Sequence, residues 1–365
     1  MERALALARE GIGLTSPNPS VGCVIVQEDG AVVGEGATQP PGGPHAEVVA
    51  LGAAGARARG ATAYVTLEPC NHHGRTPPCT DALIEAGVGR VVFSIIDPDG
   101  RVAGTGRQRL EAAGIAVEIG DGAEATERLL EAYIKHRRTG LPFVSLKYAA
   151  SLDGRIAAAS GDSRWVSGPE TLRWAHAMRP HLDAILVGSA TVVVDNPQLT
   201  ARPDGVLAAH QPLRVVLDSS GSIDAGAAVL GPGARTLVAT TQHSTAAWRD
   251  AITSTGAEVL VLPEDAAGRV ALAPLLADLG RRGVLWLLVE GGGVVNGAFF
   301  DAGLVDKLHA VIAPMVVGAA TAATAVAGTG AERMADAVRL RDITVERLGE
   351  DVLVTGYPVW PEKPV

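Results

Sequence analysis

The chain has 365 residues, of which 47% are hydrophobic and 19% are charged. This length exceeds what one hydrophobic core usually supports, so the sequence predicts two domains that each bury a core. A formal net charge of -9 is unlike the basic surface of a nucleic-acid-binding protein. A small-molecule substrate is therefore expected.

Short runs rich in Val and Ile alternate with Ala-rich stretches along the whole chain, which is the α/β pattern. In the first part, strands are predicted at residues 21–27, 31–36, 62–67, 90–96 and 116–119. Helices are predicted at residues 1–10, 45–58, 79–86, 104–113 and 122–136.

A domain boundary is predicted at residues 138–142, where a cationic helix end meets a Gly and a Pro that stop the helix. The predicted domains are residues 1–139 and 140–365. In the second domain, strands are predicted at residues 143–150, 184–188, 214–218, 236–240, 258–262, 284–290, 307–313 and 352–356. Residues 316–330, rich in Ala, Gly and Thr, predict a loop.

His45, Cys70 and Cys79 form a pattern typical of catalytic zinc sites. One imidazole and two thiolates supply three ligands and leave the fourth tetrahedral position open for water, unlike a closed structural site. Glu47 is not needed as a ligand, and its carboxylate can move a proton from water to a leaving nitrogen. The arrangement indicates a zinc-dependent deaminase of nucleobases or related rings.

The prolines around this motif predict where its helices begin. Residues two apart in the middle of a helix point about 200° away from each other, so His45 and Glu47 can share a site only at a helix N-terminus. Pro44 favours that position. Cys79 likewise follows two prolines and opens the next helix, whose free amides and positive dipole end favour a thiolate.

The cysteines and the hydropathy of the sequence indicate in which cellular compartment the protein is expected. The third cysteine, Cys23, has no partner for a disulfide and is expected to be a buried thiol, which favours a reducing environment. No run of 18 or more apolar residues is present, and residues 1–10 predict an amphipathic helix rather than a signal peptide. The sequence therefore predicts a cytoplasmic protein without a membrane partner.

Three runs carry a specific resemblance: PNPSVGC at residues 17–23, HAEV at residues 45–48 and TLEPCNHHGRTPPC at residues 66–79. They resemble the bifunctional riboflavin-biosynthesis deaminase/reductase family, in which eight residues separate the two cysteines where most zinc deaminases have two. The resemblance covers nearly the whole chain. It implies a cytidine-deaminase-like three-layer α/β/α domain followed by a dihydrofolate-reductase-like α/β domain.

The resemblance also implies roles for residues of the first domain. It makes His45, Cys70 and Cys79 the zinc ligands and Glu47 the proton shuttle. It implies that three further residues contact the deaminase substrate: Asn18, His72 and Arg75. Family members often carry Lys at the position of Arg75, and because Arg has a planar fork where Lys is a point charge, a phosphate contact of changed geometry is expected. The neighbouring His73 is expected to be exposed.

Three consecutive glycines, Gly291, Gly292 and Gly293, follow a predicted buried strand and precede a helix. Backbone amides there can approach a pyrophosphate at the helix N-terminus. The run is not a G-x-G-x-x-G fingerprint, and alone it is equally typical of an ordinary strand-to-helix turn. Its context resembles the family's reductase motifs in order and spacing, at residues 145–155, 163–165, 179, 188–191 and 195–202.

The family match implies NADPH as the second cofactor. The residues that would hold it are Ala149, Trp165, Thr191, Asp195, Ser219, Gly291, Gly292 and Gly293. The residues that would hold a ribosyl phosphate substrate are Lys147, Ser163, Arg179, Leu199, Arg202 and Glu290. The arginines can clamp the phosphate, and Lys147 and Asp195 are both candidates for the proton donor.

Structural alternatives are open for several of these residues. Trp165 is also typical of a core residue, Lys147 of a solvated strand end, and Asp153-Gly154 of a hairpin turn. Residues 317–320 read Val-Gly-Ala-Ala where the family usually has a Gly pair, so a methyl group is expected to narrow a loop that faces the nucleotide.

The family match implies two reactions in sequence. Zinc hydroxide would deaminate a diaminopyrimidinone ribosyl phosphate, and NADPH would then reduce the ribosyl group to ribityl. A base-editing deaminase of nucleic acids would need a basic surface and aromatic platforms, but only 4% of residues are aromatic. A non-enzymatic zinc protein would not need Glu47. A homo-oligomer is also expected.

Overall fold

The computed structural model describes residues 1–74, 77–100 and 102–360. The chain divides into two units, one that spans Met1–Leu141 and one that begins at Pro142. No helix among the described residues is long and apolar enough to cross a membrane.

The first unit contains a five-stranded sheet of order β2-β1-β3-β4-β5. Its strands are β1 (Gly22–Val26), β2 (Val32–Ala37), β3 (Thr62–Leu67), β4 (Arg90–Ile95) and β5 (Ala116–Ile119). Its helices are α1 (Glu2–Glu10), α2 (Ala46–Ala54), α3 (Cys79–Ala86), α4 (Thr105–Ala112), α5 (Ala123–Leu129) and α6 (Glu131–Thr139). Strands β1, β3 and β4 are largely buried, which is why their sequences are mostly apolar.

Strand direction decides which segments meet. β1 is antiparallel to β2 and to β3, and β3, β4 and β5 are parallel. The segments that follow β2, β3 and β4 therefore lie at the same edge of the sheet as the segment that precedes β1. Those segments contain His45, Cys70, Asp97 and Asn18.

Two glycines let helix α2 lie directly on strand β2. A Cβ atom at Gly36 would be 2.4 Å from the carbonyl oxygen of Ala46, and one at Gly34 would be 2.2 Å from that of Ala50. Since real Cβ atoms do not approach this closely, the helix keeps its position only with glycine in the strand. This packing sets where α2 begins.

The second unit contains a nine-stranded sheet of order β10-β9-β8-β7-β11-β6-β12-β14-β13. Its strands are β6 (Phe143–Ser151), β7 (Ala184–Gly188), β8 (Leu213–Leu217), β9 (Thr236–Thr240), β10 (Glu258–Val261), β11 (Trp286–Val289), β12 (Lys307–Ala313), β13 (Arg339–Leu348) and β14 (Asp351–Val359). Its helices are α7 (Pro169–Met178), α8 (Ser189–Asp195), α9 (Ala246–Ser254), α10 (Leu272–Arg281) and α11 (Gly293–Asp301).

Seven neighbouring strands of this sheet, β6 to β12, are parallel, and β14 is antiparallel to both β12 and β13. Strand β11 lies between β7 and β6, so the direction of winding reverses there. In open parallel sheets, ligands bind outside the carboxyl ends of the strands at such a switch point. Helices α8 and α11 begin at this edge, directly after the neighbouring strands β7 and β11.

Beyond shifts of a few residues at the ends of elements, and the helices of the second unit, for which no bounds were predicted, three differences from the predicted elements concern what forms. The helix predicted at residues 122–136 is two helices, because Leu130 between them has φ -102° and ψ 15°. Residues 55–58 continue α2 as a 3-10 turn. Strand β13 was not predicted, since it is largely exposed and its sequence mixes charged and apolar residues. Residues 316–330 contain no helix or strand, as the sequence predicts.

We expect a fragment of residues 1–141 to fold alone, because it holds a complete sheet with its own helices. It should unfold cooperatively on heating, followed by circular dichroism, and retain the predicted zinc site by metal analysis. A fragment of residues 1–129, which lacks α6, is the control and should unfold at a lower temperature. A folded 1–141 fragment without zinc would contradict the expectation.

Candidate active sites

The three predicted zinc ligands converge at one edge of the first sheet. The His45 Nδ1 atom lies 3.2 Å from the Cys79 Sγ atom and 3.6 Å from the Cys70 Sγ atom. All potential ligand atoms of the three residues lie within 4.8 Å of one another. Tetrahedral zinc with ligand bonds of about 2.0–2.3 Å separates its donors by roughly 3.5 Å, so the donors fit this ion in spacing and in chemical type.

Local structure places each ligand as the prolines predict. His45 is the N-cap residue of α2, with extended dihedral angles of φ -75° and ψ 165°. Cys79 is the first residue of α3, after the N-cap Pro78. Its backbone amide donates to the Cys70 Sγ atom at 3.4 Å. The N-terminus of α3 thus directs a free amide and its positive dipole end at the Cys70 thiol.

The close approach of these groups shifts the pKa values of both thiols and of Glu47. Hydrogen bonding from Cys79, together with that from His45, lowers the pKa of Cys70 to about 4, whereas the pKa of Cys79 is raised by the same shared proton and by burial. Burial, and then the charge of Cys70, raise the pKa of Glu47 to about 7. A carboxyl group with a pKa near neutrality can both take up and release a proton at physiological pH.

The ligands open onto a cavity of about 460 Å³ in the first unit. Glu47, Asn18 and His72 line this cavity together with His45 and Cys70. The structure therefore brings together the predicted zinc site and two of the predicted substrate contacts. Arg75 lies outside the described residues, and its predicted phosphate contact stays a prediction. His73 is exposed and Cys23 is fully buried, as expected.

Four charged residues line the same cavity but were not predicted: Glu68, Asp97, Asp99 and Arg137. The buried Glu68 carboxylate accepts from the backbone amides of Gly104 at 2.9 Å and Arg107 at 3.0 Å. Its place directly before the Pro69-Cys70 pair was the one available signal. The others come from β4, its following loop and α6, so only the fold unites them with the zinc ligands.

The predicted cofactor residues of the second unit lie at the carboxyl edge of the parallel strands. Ala149 is near the end of β6, Thr191 is in the first turn of α8, Ser219 follows β8, and the three glycines join β11 to α11. A Cβ atom at Gly292 would meet only the Thr191 Oγ1 atom, at 3.8 Å. The two segments are therefore neighbours, as a shared nucleotide site requires.

The three glycines have different reasons for being glycine. A Cβ atom at Gly291 would lie 2.6 Å from Val295, and one at Gly293 would lie 2.2 Å from the Thr324 carbonyl oxygen. The protein itself thus requires glycine at these two positions. At Gly292 the protein leaves room for a side chain, which is the space that a closely approaching pyrophosphate would fill.

The predicted substrate residues form a charged cluster beside this edge. The Arg179 Nη2 atom donates to the Glu290 Oε2 atom at 2.8 Å, and both side chains are only 12% exposed. Burial opposes ionisation of Glu290, but the charges of Arg179 and Lys147 lower its pKa below the usual value. Among the described residues no acceptor pairs with the half-buried guanidinium of Arg202, so this cation is available for an anionic ligand.

Other predicted residues have more specific surroundings than the sequence indicates. The Ser163 hydroxyl donates to the Asp195 Oδ1 atom at 3.1 Å, so a predicted substrate contact and a predicted cofactor contact touch each other. Trp165 is 68% exposed and does not belong to the core. The Leu199 side chain is buried in the core cluster with Val192, so only its backbone can reach a ligand.

The Asp153-Gly154 turn also differs from a simple hairpin. The Asp153 carboxylate accepts from the backbone amides of Val317 at 3.0 Å and Gly318 at 2.7 Å. It therefore ties the turn after β6 to the long loop at residues 316–330. Ala319 in that loop is exposed and has a φ of 56°, a conformation that favours glycine.

Known protein families match both units of the chain. Residues 1–95 match the cytidine and deoxycytidylate deaminase zinc-binding region, and residues 142–354 match the RibD C-terminal domain. The riboflavin biosynthesis protein RibD of Escherichia coli (strain K12) is 43% identical over 96% of this chain and 96% of the relative. RibD of Mycobacterium tuberculosis (strain ATCC 25618 / H37Rv) is 43% identical over 94% and 92%.

Solved structures agree as well. Form 1 of Acinetobacter baumannii RibD has a TM-score of 0.87 at 37% identity and covers 98% of this chain and 97% of its own. A diaminohydroxyphosphoribosylaminopyrimidine deaminase/5-amino-6-(5-phosphoribosylamino)uracil reductase from Thermotoga maritima has a TM-score of 0.83 at 34% identity, with 98% and 97% covered.

The protein is a bifunctional enzyme, with a cytidine-deaminase-like domain followed by a reductase domain. The chain belongs to the RibD family of riboflavin biosynthesis proteins. Its cofactors are zinc in the deaminase domain and NADPH in the reductase domain. This bears out the family resemblance and the fold class predicted from the sequence.

We expect the isolated protein to hold about one zinc per chain, because three good ligands converge at one place. Cys79→Ser should lose most of this zinc, measured by elemental analysis after dialysis. Cys23→Ala, which also removes a buried thiol, is the control and should keep the zinc. Full zinc content in Cys79→Ser would show that the ion lies elsewhere.

Proposed function

We propose that this chain deaminates a diaminopyrimidinone ribosyl phosphate and then reduces the ribosyl group to ribityl phosphate with NADPH. The observation that carries the first step is the convergence of His45, Cys70, Cys79, Glu47 and Asn18 on one cavity of substrate size. The Thermotoga maritima relative, a diaminohydroxyphosphoribosylaminopyrimidine deaminase and 5-amino-6-(5-phosphoribosylamino)uracil reductase, supports the same pair of substrates.

The deaminase residues have separate tasks in this proposal. Zinc, held by the three converging ligands, supplies the Lewis acidity that makes water nucleophilic near neutral pH. The Glu47 carboxylate takes a proton from water and returns it to the amino nitrogen, which leaves as ammonia and is replaced by a carbonyl oxygen. Asn18 and His72 hold the pyrimidine ring, and Arg75 is assigned to the phosphate.

The reductase residues divide into a cofactor side and a substrate side. NADPH supplies a hydride, and the Gly291–Gly293 loop with Thr191, Ala149, Trp165, Ser219 and Asp195 is assigned to hold it. Arg202 is assigned to the substrate phosphate because its guanidinium has no acceptor among the described residues, whereas Arg179 orients Glu290 through an ion pair. The ammonium group of Lys147 is assigned as the proton donor, because its charge lies close enough to Glu290 to lower that pKa.

The proposal also assigns the organisation of the protein. Residues 1–139 are assigned to the deaminase and residues 140–365 to the reductase. Three free thiols support a reducing, cytoplasmic location. A homo-oligomer is supported by β13, the last strand of the second sheet, which exposes Ile343 by 54% and Val345 by 64%.

Glu47→Gln tests the deaminase proposal. Because glutamine cannot accept and return the proton, we expect ammonia release from the pyrimidine ribosyl phosphate to fall by about 10²- to 10⁴-fold. Zinc content should stay at the wild-type level, which separates a proton shuttle from a ligand. Glu10→Gln, an exposed change of the same type, should have no effect. Undiminished ammonia release in Glu47→Gln would refute the assigned role.

Two variants test the assignment of the reductase site. Removing the Arg202 clamp should raise the substrate KM in Arg202→Ala by about 10- to 150-fold, since a charge-assisted contact contributes roughly 1.5–3 kcal/mol. NADPH affinity, measured by fluorescence titration, should be unchanged. Gly292→Val should lower NADPH affinity by blocking the pyrophosphate and leave the substrate KM unchanged. The fold leaves room for a Cβ atom at this position.

Controls make these outcomes specific. Arg173→Ala removes an exposed charge from α7 and should change neither the substrate KM nor the NADPH affinity. Gly291→Ala should lower the unfolding temperature because its Cβ atom would collide with Val295. Loss of NADPH binding in Arg202→Ala with a normal substrate KM would invert the assignment of the two sides.

A further inference from the structure

Arg137 reaches from the last helix of the first unit into the deaminase cavity. Its Nη2 atom donates to the carbonyl oxygen of Pro17 at 2.8 Å, across 120 positions of sequence. Its Nε atom lies 3.7 Å from the Asp99 Oδ2 atom. The side chain is 21% exposed, so a long cationic side chain is held at the cavity rather than extended into solvent.

Its surroundings fix the position of this guanidinium. The guanidinium carbon lies 5.0 Å from the centre of the Tyr133 ring, one helical turn earlier on α6. The Tyr133 hydroxyl in turn donates to the Asp97 Oδ1 atom at 3.0 Å. The Asp99 amide donates to the same Asp97 oxygen at 2.9 Å. The arginine is therefore clamped between an aromatic face and the loop after β4.

The segment that Arg137 holds is the Pro17-Asn18-Pro19 turn before β1. Inside the turn, the Asn18 amide nitrogen of the backbone donates to the Thr15 carbonyl oxygen at 2.8 Å, and the Thr15 hydroxyl donates to the Asn18 carbonyl oxygen at 3.1 Å. The two prolines have no N–H groups, so they cannot donate further backbone hydrogen bonds, although their carbonyl groups can accept them. A contact from outside is therefore needed to hold the turn against the cavity.

The side chain of Asn18, unlike its backbone, takes no part in the hydrogen bonds of the turn. It lines the cavity, and within the described part of the chain its amide group has no hydrogen-bond partner. Among the residues that the structure describes, only the position of the turn itself thus fixes the amide. A displacement of the turn would move a ring contact directly, and small misplacements of binding groups cost large factors in rate.

We propose that Arg137 is a positioning residue for deamination, which holds the Pro17 carbonyl group and thereby places the Asn18 amide for the pyrimidine ring. The inference rests on the proposed function, because it takes Asn18 as a ring contact. It adds a residue on α6 that the zinc motif does not contain. It also gives Arg137, in the last turn of α6, a role in the reaction.

The test compares Arg137→Gln with Arg138→Gln in the full-length protein. Arg138 is the next residue on α6 and is exposed, so the control removes the same charge without touching the turn. We expect kcat/KM for ammonia release to fall by about 10- to 100-fold in Arg137→Gln, mainly through kcat, and to stay unchanged in Arg138→Gln. Zinc content and reductase activity should be normal in both.

A double-mutant cycle identifies the route of the effect. If Arg137 acts through Asn18, Arg137→Gln should cost little in an Asn18→Ala background, because the group that it positions is gone. Additive losses would overturn the inference. A loss of deaminase activity with the phosphorylated substrate alone, and not with its dephosphorylated form, would also overturn the inference. That result would make Arg137 a direct phosphate contact.

Two further outcomes are distinguishable. A zinc-loaded wild-type protein without deaminase activity would overturn the proposed function and this inference with it, whereas an active wild type with an unimpaired Arg137→Gln would overturn the inference alone.

Should Arg137→Gln fail to fold, the same cycle is measured with Arg137→Lys. Lysine keeps the charge and one donor, so a smaller loss of about three-fold is expected, again absent in the Asn18→Ala background.

Discussion

Strand direction is the constraint on which both sites depend. In the first sheet, β1 runs against its neighbours, so the turn before it meets the loops that leave β2, β3 and β4. In the second sheet, the neighbouring strands β7 and β11 both lead into helices at the same edge. Each site is therefore built from several loops that are distant in sequence but adjacent at a sheet edge, where helix N-termini supply free amides.

The two sites differ in the sign of their charge, and this difference matches their ligands. Around the first cavity, Glu47, Glu68, Asp97 and Asp99 outnumber the described cation Arg137. Burial there raises the pKa of Asp97 to about 6. A divalent metal ion would offset this excess of negative charge and deprotonate the thiols outright.

In the reductase site the balance is reversed. Burial, and then the charges of Arg179, Arg202 and Lys147, lower the pKa of the neighbouring His176. Among the predicted substrate residues these three cations face one carboxylate, Glu290. A cluster with net positive charge suits ligands that carry phosphate groups. The overall charge of -9 therefore conceals a local excess of positive charge, which composition alone could not predict.

The zinc site was predictable from the sequence because each ligand lies next to a proline or a strand that fixes its place. Arg137 and Asp97 were not, since their meeting with Asn18 depends on a fold that joins residues 120 positions apart. The core position of Leu199 and the exposure of Trp165 were equally hidden, because a motif match gives the identity of a residue and not the direction of its side chain. Strand β13 was not predicted from the sequence because an edge strand needs no apolar face.

The loop at residues 316–330 shows how a segment without helix or strand becomes part of a site. The Asp153 carboxylate holds its start at Gly318, the Asn296 amide donates to the Ala325 carbonyl oxygen at 2.8 Å, and the Asp301 carboxylate accepts from the Thr329 amide at 2.8 Å. Two of these three anchors belong to α11, whose N-terminus follows the glycine loop.

This anchoring explains why glycine is required beneath the loop. At Gly293 a Cβ atom would collide with the Thr324 carbonyl oxygen, and at Gly297 it would lie 1.1 Å from that of Ala327. The loop can therefore approach the backbone of α11 only where side chains are absent. Because the same helix presents its free amides to the predicted pyrophosphate, the packing of this loop and the geometry of the cofactor site are set by one row of glycines.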